Sequence, residues 1–277
     1  MMLKGINQWC FPEGTSLEKI FNTCQKAGYD AVELNLYEPG GIGLTMDTTA
    51  VEAEAIGAMA RKFGLQLRSL STGLLGKYQL SSNDEAVREM GRNAIKKQLQ
   101  LAGVLGIDTI LVIPGRVNEQ VSYDVCYKRS QEELLKILPD VEANKIYLGI
   151  ENVWNKFLQS PLEMAQYIDE LNSPYAAAYY DVGNTLILGF PDQWIRILGH
   201  RIKKVHVKDF KANVGNYNGF VPLMAGDVPW TRVREALQEI GYTDVLTAEL
   251  DPYASAPDQL IYDTSRHLDV IIHGEPR

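Results

Sequence analysis

Four apolar stretches of this 277-residue chain each end in one side chain able to do acid–base or metal chemistry. YLGIENV carries Glu151, AAYYDVGN carries Asp181, KVHVKD carries His206 with Asp209 close behind, and VLTAEL carries Glu249. An uncompensated carboxylate beside residues such as Ile150, Tyr180 or Ala248 costs several kcal/mol. Three carboxylates brought together also repel one another. A divalent cation resolves both problems at once. Three carboxylate oxygens with one imidazole nitrogen suit Mn²⁺, Co²⁺ or Mg²⁺ better than a structural zinc, which prefers Cys and His. One divalent ion is therefore expected, Mn²⁺, Co²⁺ or Mg²⁺, with Zn²⁺ as a further alternative. Taken singly, each residue has a plainer reading, as a helix cap, an ion-pair partner or a satisfied core histidine. Four such residues on four successive strands make separate accidents a poor account. His200, His267 and His273 lie at a helix end or near the C-terminus and read as surface or capping residues.

The elements that must position these groups are short apolar runs alternating with amphipathic segments. Strands are expected at Lys4–Phe11, Ala31–Leu36, Gln66–Thr72, Thr109–Pro114, Tyr147–Val153, Ala176–Val182, Lys203–Asp209 and Val245–Leu250. Most are near-continuous in apolar or β-branched residues, as parallel strands covered on both faces are. Helices are expected at Leu17–Ala27, at Val51–Phe63, from an Asn83 cap to about Leu105, and at Gln131–Val141. Four more follow at Pro161–Leu171, Asp192–Leu198, Pro229–Ile240 and Pro257–Ile272. Eight consecutive strand–helix units with no second composition zone close most simply into a (β/α)8 TIM barrel, one domain over residues 1–277. A doubly wound sheet would want a G-x-G-x-x-G turn, which is absent; Gly40-Gly41-Ile42-Gly43 reads as a plain loop. In a barrel, catalytic groups sit at the C-terminal strand ends, where the four residues fall.

Composition narrows the partners. Hydrophobic residues make up 45% of the chain and charged residues 22%, which excludes a disordered protein. A chain this long buries a sizeable core without disulfides or a structural metal. The formal net charge of −8 argues against nucleic acid or an anionic membrane as partner. Cys10, Cys24 and Cys126 lie far apart with no C-x-x-C spacing, which suits a reducing compartment. The opening MMLKGINQWCF does not read as a signal peptide, and the longest uncharged apolar stretch, Thr109–Gly115, is strand-sized. A cytoplasmic enzyme with a small-molecule substrate, and room for homo-oligomerisation, is the expectation.

The runs GIENVWNKFL, YYDVGN, KKVHVKDFK and TAEL resemble the xylose isomerase-like TIM barrel superfamily. Within it they are similar to the sugar and sugar-phosphate isomerase/epimerase branch, which includes ketose 3-epimerases, L-ribulose-5-phosphate 3-epimerases and hexulose-6-phosphate isomerase-like proteins. GINQW and the run GYDAVEL fit as well, so the resemblance spans nearly the whole chain. It implies that Glu151, Asp181, His206 and Glu249 ligate Mn²⁺ or a related ion and that the two glutamates double as the acid/base pair. This chain departs from the free-sugar 3-epimerases at Asn184, where they carry His, and at Ala212, where they carry Arg. D-x-G-N goes instead with the sugar-phosphate branch, and Lys208 and Lys211 stand near the missing arginine.

The chemistry implied is loss of a proton α to a ketose carbonyl, giving an enediolate. Two glutamates on opposite sides of the sugar would invert a stereocentre, C3 first; one base shuttling a proton would interconvert aldose and ketose. Asn152, Asn155 and Lys156 after Glu151, Asn184 after Asp181, and Lys208, Asp209 and Lys211 after His206 are candidate sugar or phosphate contacts. Trp9 is a candidate apolar wall, and Phe210–Val228 reads as a loop that could cover the site. The rival readings are a dehydratase of the inosose or dehydroshikimate type, an apurinic endonuclease and a non-catalytic sugar-binding module. The endonuclease would want more histidines and a basic face. The binding module would not need two carboxylates flanking the metal.

Overall fold

The computed structural model describes residues 2–274. Eight parallel strands form the barrel: β1 (Leu3–Asn7), β2 (Ala31–Tyr37), β3 (Ser69–Thr72), β4 (Thr109–Val112), β5 (Tyr147–Glu151), β6 (Ala176–Asp181), β7 (Ile202–Val207) and β8 (Val245–Ala248). Each pairs with the next, and β1 pairs with both β2 and β8, so the sheet closes on itself. The register sets Asp181 beside His206 and His206 beside Thr247, bringing the ends of β6, β7 and β8 to one level.

Around the barrel lie α1 (Leu17–Ala27), α2 (Ala50–Lys62), α3 (Glu85–Leu105), α4 (Tyr123–Leu135), α5 (Pro161–Glu170), α6 (Pro191–Leu198), α7 (Trp230–Glu239) and α8 (Pro257–His273). Local chemistry sets their ends. Ser16 caps α1, and Thr49 with Glu52 closes a capping box on α2. The buried faces of helices and strands merge into one apolar core between the two layers. No described helix is long and apolar enough to cross a membrane.

Four expectations shift. The first strand stops at Asn7, whose side-chain oxygen accepts from the Trp9 amide at 2.7 Å and turns residues 8–10 into a 3₁₀ turn. The cap of α3 is Asp84; Asn83 instead donates to the Gln120 carbonyl at 3.0 Å. The helix expected at Gln131–Val141 is two helices, α4 and a short one at Leu138–Asn144. Proline lacks an amide and is tolerated in a first turn, so Pro139 begins the second helix rather than sitting inside a longer one. The loop expected at Phe210–Val228 contains a small antiparallel ribbon, Asp209–Phe210 against Phe220–Val221, too short to leave a period in the sequence.

Alternation along each strand sends every second side chain into the barrel. On β7 this places Lys204 at the floor, paired with Asp108 at 2.8 Å and Asp244 at 2.5 Å, with His206 above it. Ser69 on β3, Glu33 on β2 and Tyr179 on β6 meet His206 in one layer.

Candidate active site

Glu151 and Asp181 are the last residues of β5 and β6, His206 lies in β7 and Glu249 follows β8. Each offers one ligand atom, and these atoms lie within 4.8 Å of one another. His206 Nδ1 is 3.0 Å from Glu151 Oε1 and 3.6 Å from Glu249 Oε2. Asp181 and His206 are fully buried, Glu151 nearly so, and Glu249 borders the opening.

The strand ends are tied to one another by asparagines. Asn152 donates to the Asp181 carbonyl and accepts from the Asp181 amide, both at 2.9 Å. Asn184 donates to the Asn152 carbonyl at 3.0 Å, and its own amide donates to Asp181 Oδ1 at 2.8 Å. Asp181 Oδ2 is buried with no hydrogen bond of its own. Its one charged partner is the Lys208 ammonium at 3.0 Å, and with three further oxygen and nitrogen donors beside it the group fits a cation.

Glu33 completes the centre, and no role follows for it from the run GYDAVEL. Its Oε1 lies 2.6 Å from His206 Nε2 and accepts from Asn7 Nδ2 at 2.6 Å; Oε2 accepts from Ser69 and Tyr179. A carboxylate holding the far nitrogen of a ligating histidine fixes the ring and selects the tautomer whose other nitrogen faces the metal. The one signal for it is a lone carboxylate inside the otherwise apolar AVELNLY.

Buried charges set the proton affinities. Burial pushes Glu151 up to about 7, and the neighbouring Glu249 and Asp181 charges add to this against the opposing pull of His206. Asp181 rises for the same first reason, with Lys208 opposing. Burial also works against Glu249 as an anion, but Lys208 and His206 overcome it and hold it below the usual glutamate range. Burial disfavours the His206 imidazolium, yet Glu33 and Glu249 keep it protonated well above the usual histidine range. The neighbours of the two glutamates thus shift them in opposite directions.

A cavity of about 400 Å³ opens above these groups. Glu151, Glu249, Asn184 and Lys208 line it with Trp9 and Trp154, together with Tyr217 and Phe220 of the covering segment. Of the sequence-chosen substrate contacts, Trp9, Asn184 and Lys208 are at the cavity. Asn152 and Asn155 are buried clamps, Asn155 donating to the Gly115 carbonyl at 2.6 Å. Lys156 is exposed and borders a separate hollow with Arg116, because Asn155, Phe157 and Leu158 are buried on either side and turn it outward. Lys211 is exposed, its backbone amide bonded to Gly219. Asp209 is buried and accepts from the Phe210 and Val228 amides and Trp230 Nε1 at 2.9, 3.1 and 3.0 Å. It therefore anchors the covering segment and does not line the cavity. A Cβ at Gly226 would fall 2.3 Å from its carboxylate, so the chain passes it closely. The other three histidines stand away from the cluster, His200 in a turn after α6 and His267 and His273 on α8.

Reactive groups gathered at the C-terminal mouth of a closed barrel are the layout of a (β/α)8 enzyme. The chain belongs to the xylose isomerase-like TIM barrel family, whose model matches residues 21–269. Among its relatives, L-ribulose-5-phosphate 3-epimerase UlaE of Salmonella heidelberg is 27% identical over 251 residues, 86% of this chain and 83% of that protein. A solved L-ribulose 3-epimerase superposes with a TM-score of 0.83 at 18% identity, covering 99% of this chain and 95% of the other. D-psicose 3-epimerase, solved in the presence of D-fructose, gives 0.78 at 18% identity over 98% and 99%. These relatives are epimerases, which are isomerase-class enzymes.

Proposed function

We propose that this enzyme is a divalent-metal-dependent ketose 3-epimerase, acting on a ketose or its phosphate through an enediolate. The observation that carries the reading is the pair Glu151 and Glu249, which reach one cavity from β5 and β8 and belong to the same carboxylate–histidine cluster. Glu151, Asp181, His206 and Glu249 would hold the ion, with Mn²⁺ first among the candidates for this donor set. When bound, the ion supplies positive charge that polarises the ketose carbonyl and acidifies the adjacent C–H.

Glu249, held as a carboxylate, takes the proton from C3 on its side of the sugar. Glu151, on the other side of the sugar, returns a solvent-exchanged proton to the opposite face. Reversal exchanges the roles. Glu33 keeps the His206 ring fixed while this happens, and Trp9 and Trp154 offer apolar walls to the sugar's C–H face. Lys208 is the one member of Lys156, Lys208 and Lys211 at the cavity, so a substrate phosphate would find its charge partner there.

The test is a panel of ketoses and ketose phosphates assayed in D2O with added Mn²⁺. Two-base epimerisation places deuterium at the inverted carbon in nearly every first turnover, and chelation abolishes it. Label at C1 alone, direct transfer of the substrate's own hydrogen, or full activity after chelation would overturn the reading. Loss of water from the substrate would favour the dehydratase instead; none of the relatives named above is one.

A further inference from the structure

Lys208 is built into the ligand cluster more firmly than a cavity-wall lysine needs to be. Its stem lies on the backbone of the D-V-G-N turn: a Cβ at Gly183 would fall 2.4 Å from Lys208 Cγ and 2.6 Å from the Lys208 carbonyl oxygen. Only glycine at that position admits the lysine, so the turn that follows Asp181 and the segment that follows His206 are made for each other. At its far end, Nζ lies 3.0 Å from Asp181 Oδ2, the oxygen with no hydrogen bond, and donates to Glu249 Oε2. The Phe220 ring covers the ammonium, with its centroid 5.5 Å away. One positive charge is therefore clamped against two of the four residues that would ligate an ion.

An ammonium and a divalent ion sharing the same carboxylate oxygens repel strongly at these separations, the more so away from bulk water. We propose that Lys208 is the site's internal counter-cation: it neutralises Asp181 and Glu249 in the ion-free protein and gives them up when a divalent ion binds. The inference rests on the metal-dependent reading above and adds to it a competition within the chain itself. Two consequences follow. The ion-free enzyme keeps its carboxylates folded in place, because their repulsion is already offset. The ion binds more weakly than its ligands alone would allow, because it must first displace the lysine. The displaced side chain remains at the cavity wall, within reach of a substrate oxygen.

Lys208→Met tests this, since methionine keeps an unbranched stem over Gly183 and removes the charge. Calorimetric titration with Mn²⁺ at pH 8 should show binding about tenfold tighter than in the unsubstituted enzyme. The ion-free variant should melt several degrees lower, and saturating Mn²⁺ should restore most of that loss. Lys208→Gln, which keeps a donor for Glu249 without the charge, should fall between on both measures. If the methionine variant folds only with ion present, competition against a chelator gives its affinity instead. Unchanged or weaker Mn²⁺ binding in Lys208→Met overturns the proposal, the lysine then sharing the carboxylates with the ion. If the unsubstituted enzyme binds no divalent ion, the metal-dependent reading fails and this proposal with it.

Discussion

His206 Nε2 and Glu33 Oε1 lie 2.6 Å apart inside the barrel, joining β7 to β2 across its interior. Both side chains are buried, and Glu33 is held in turn by Asn7, Ser69 and Tyr179. The bond leaves Nδ1 as the nitrogen facing Glu151 and Glu249. The orientation of one candidate ligand thus depends on the far side of the barrel.

Replacing Glu33 with Gln keeps the shape and removes the charge that fixes the imidazole. Mn²⁺ affinity should fall roughly 10- to 100-fold, the usual cost of losing a partner behind a ligating histidine. Calorimetric titration measures it. An unchanged affinity would mean that His206 needs no such support, or does not ligate.

The two glutamates should fail differently from inactive mutants in general. Glu151→Gln and Glu249→Gln should each stop net epimerisation, while each still exchanges the substrate proton on the face served by the surviving carboxylate. Mass spectrometry of substrate recovered from D2O reads this exchange. Near-normal epimerisation by either variant would remove that glutamate from the mechanism.

Asp209→Ala should loosen the cover without touching the ligands. Three hydrogen bonds tie its carboxylate to the Phe210 and Val228 amides and to Trp230. Removing them should raise KM several-fold while leaving Mn²⁺ affinity within about a factor of two, because Asp209 contacts none of the four ligands. A matching loss of metal affinity would show that the cover and the metal centre are one unit.

Acid should attack the protein at Glu133, well away from the site. Its buried carboxylate on α4 pairs with Arg88 at 3.1 Å, with Lys136 at 2.8 Å and with Arg92. Burial opposes ionisation there, but Lys136 and Arg92 prevail and hold its proton affinity below that of an ordinary glutamate. A depressed folded-state value adds stability that is complete above the unfolded glutamate pKa and is lost as pH falls through the folded value. Glu133→Gln should therefore be less stable by about 2 kcal/mol near pH 7. In urea melts, the gap should shrink steadily below about pH 4. A gap that stays constant down to pH 3 would remove the carboxylate charge from the explanation.

The barrel and the group Glu151, Asp181, His206 and Glu249 are legible in the sequence because burial makes them conspicuous. A charge inside a run such as YLGIENV is costly, and its regular recurrence at strand ends marks a shared purpose. Glu33 obeys the same rule but stands mid-strand in AVELNLY, where a single carboxylate looks like an accident until Ser69, Tyr179 and His206 close around it. Those partners are distant in sequence, so nothing local announces them. Lys156, Asp209 and Lys211 mislead for the opposite reason: proximity to a ligand along the chain says nothing about direction. Asn155 turns Lys156 outward, and Asp209 turns down to hold α7. The split of the fourth helix at Pro139 and the two-residue pairing of the ribbon fall below what hydrophobic periodicity can register.

The way the cover is fastened has a consequence for engineering. Asp209 secures its first strand to Val228 and Trp230, and Phe210 pairs with Phe220, so both ends of the intervening stretch are fixed before residues 211–219 begin. Those nine positions form a cassette with its own anchors. They can be exchanged for sequences of other length and polarity while His206, three positions before the first anchor, keeps its place. Libraries confined to this segment would vary which sugars are admitted while keeping the chemistry constant.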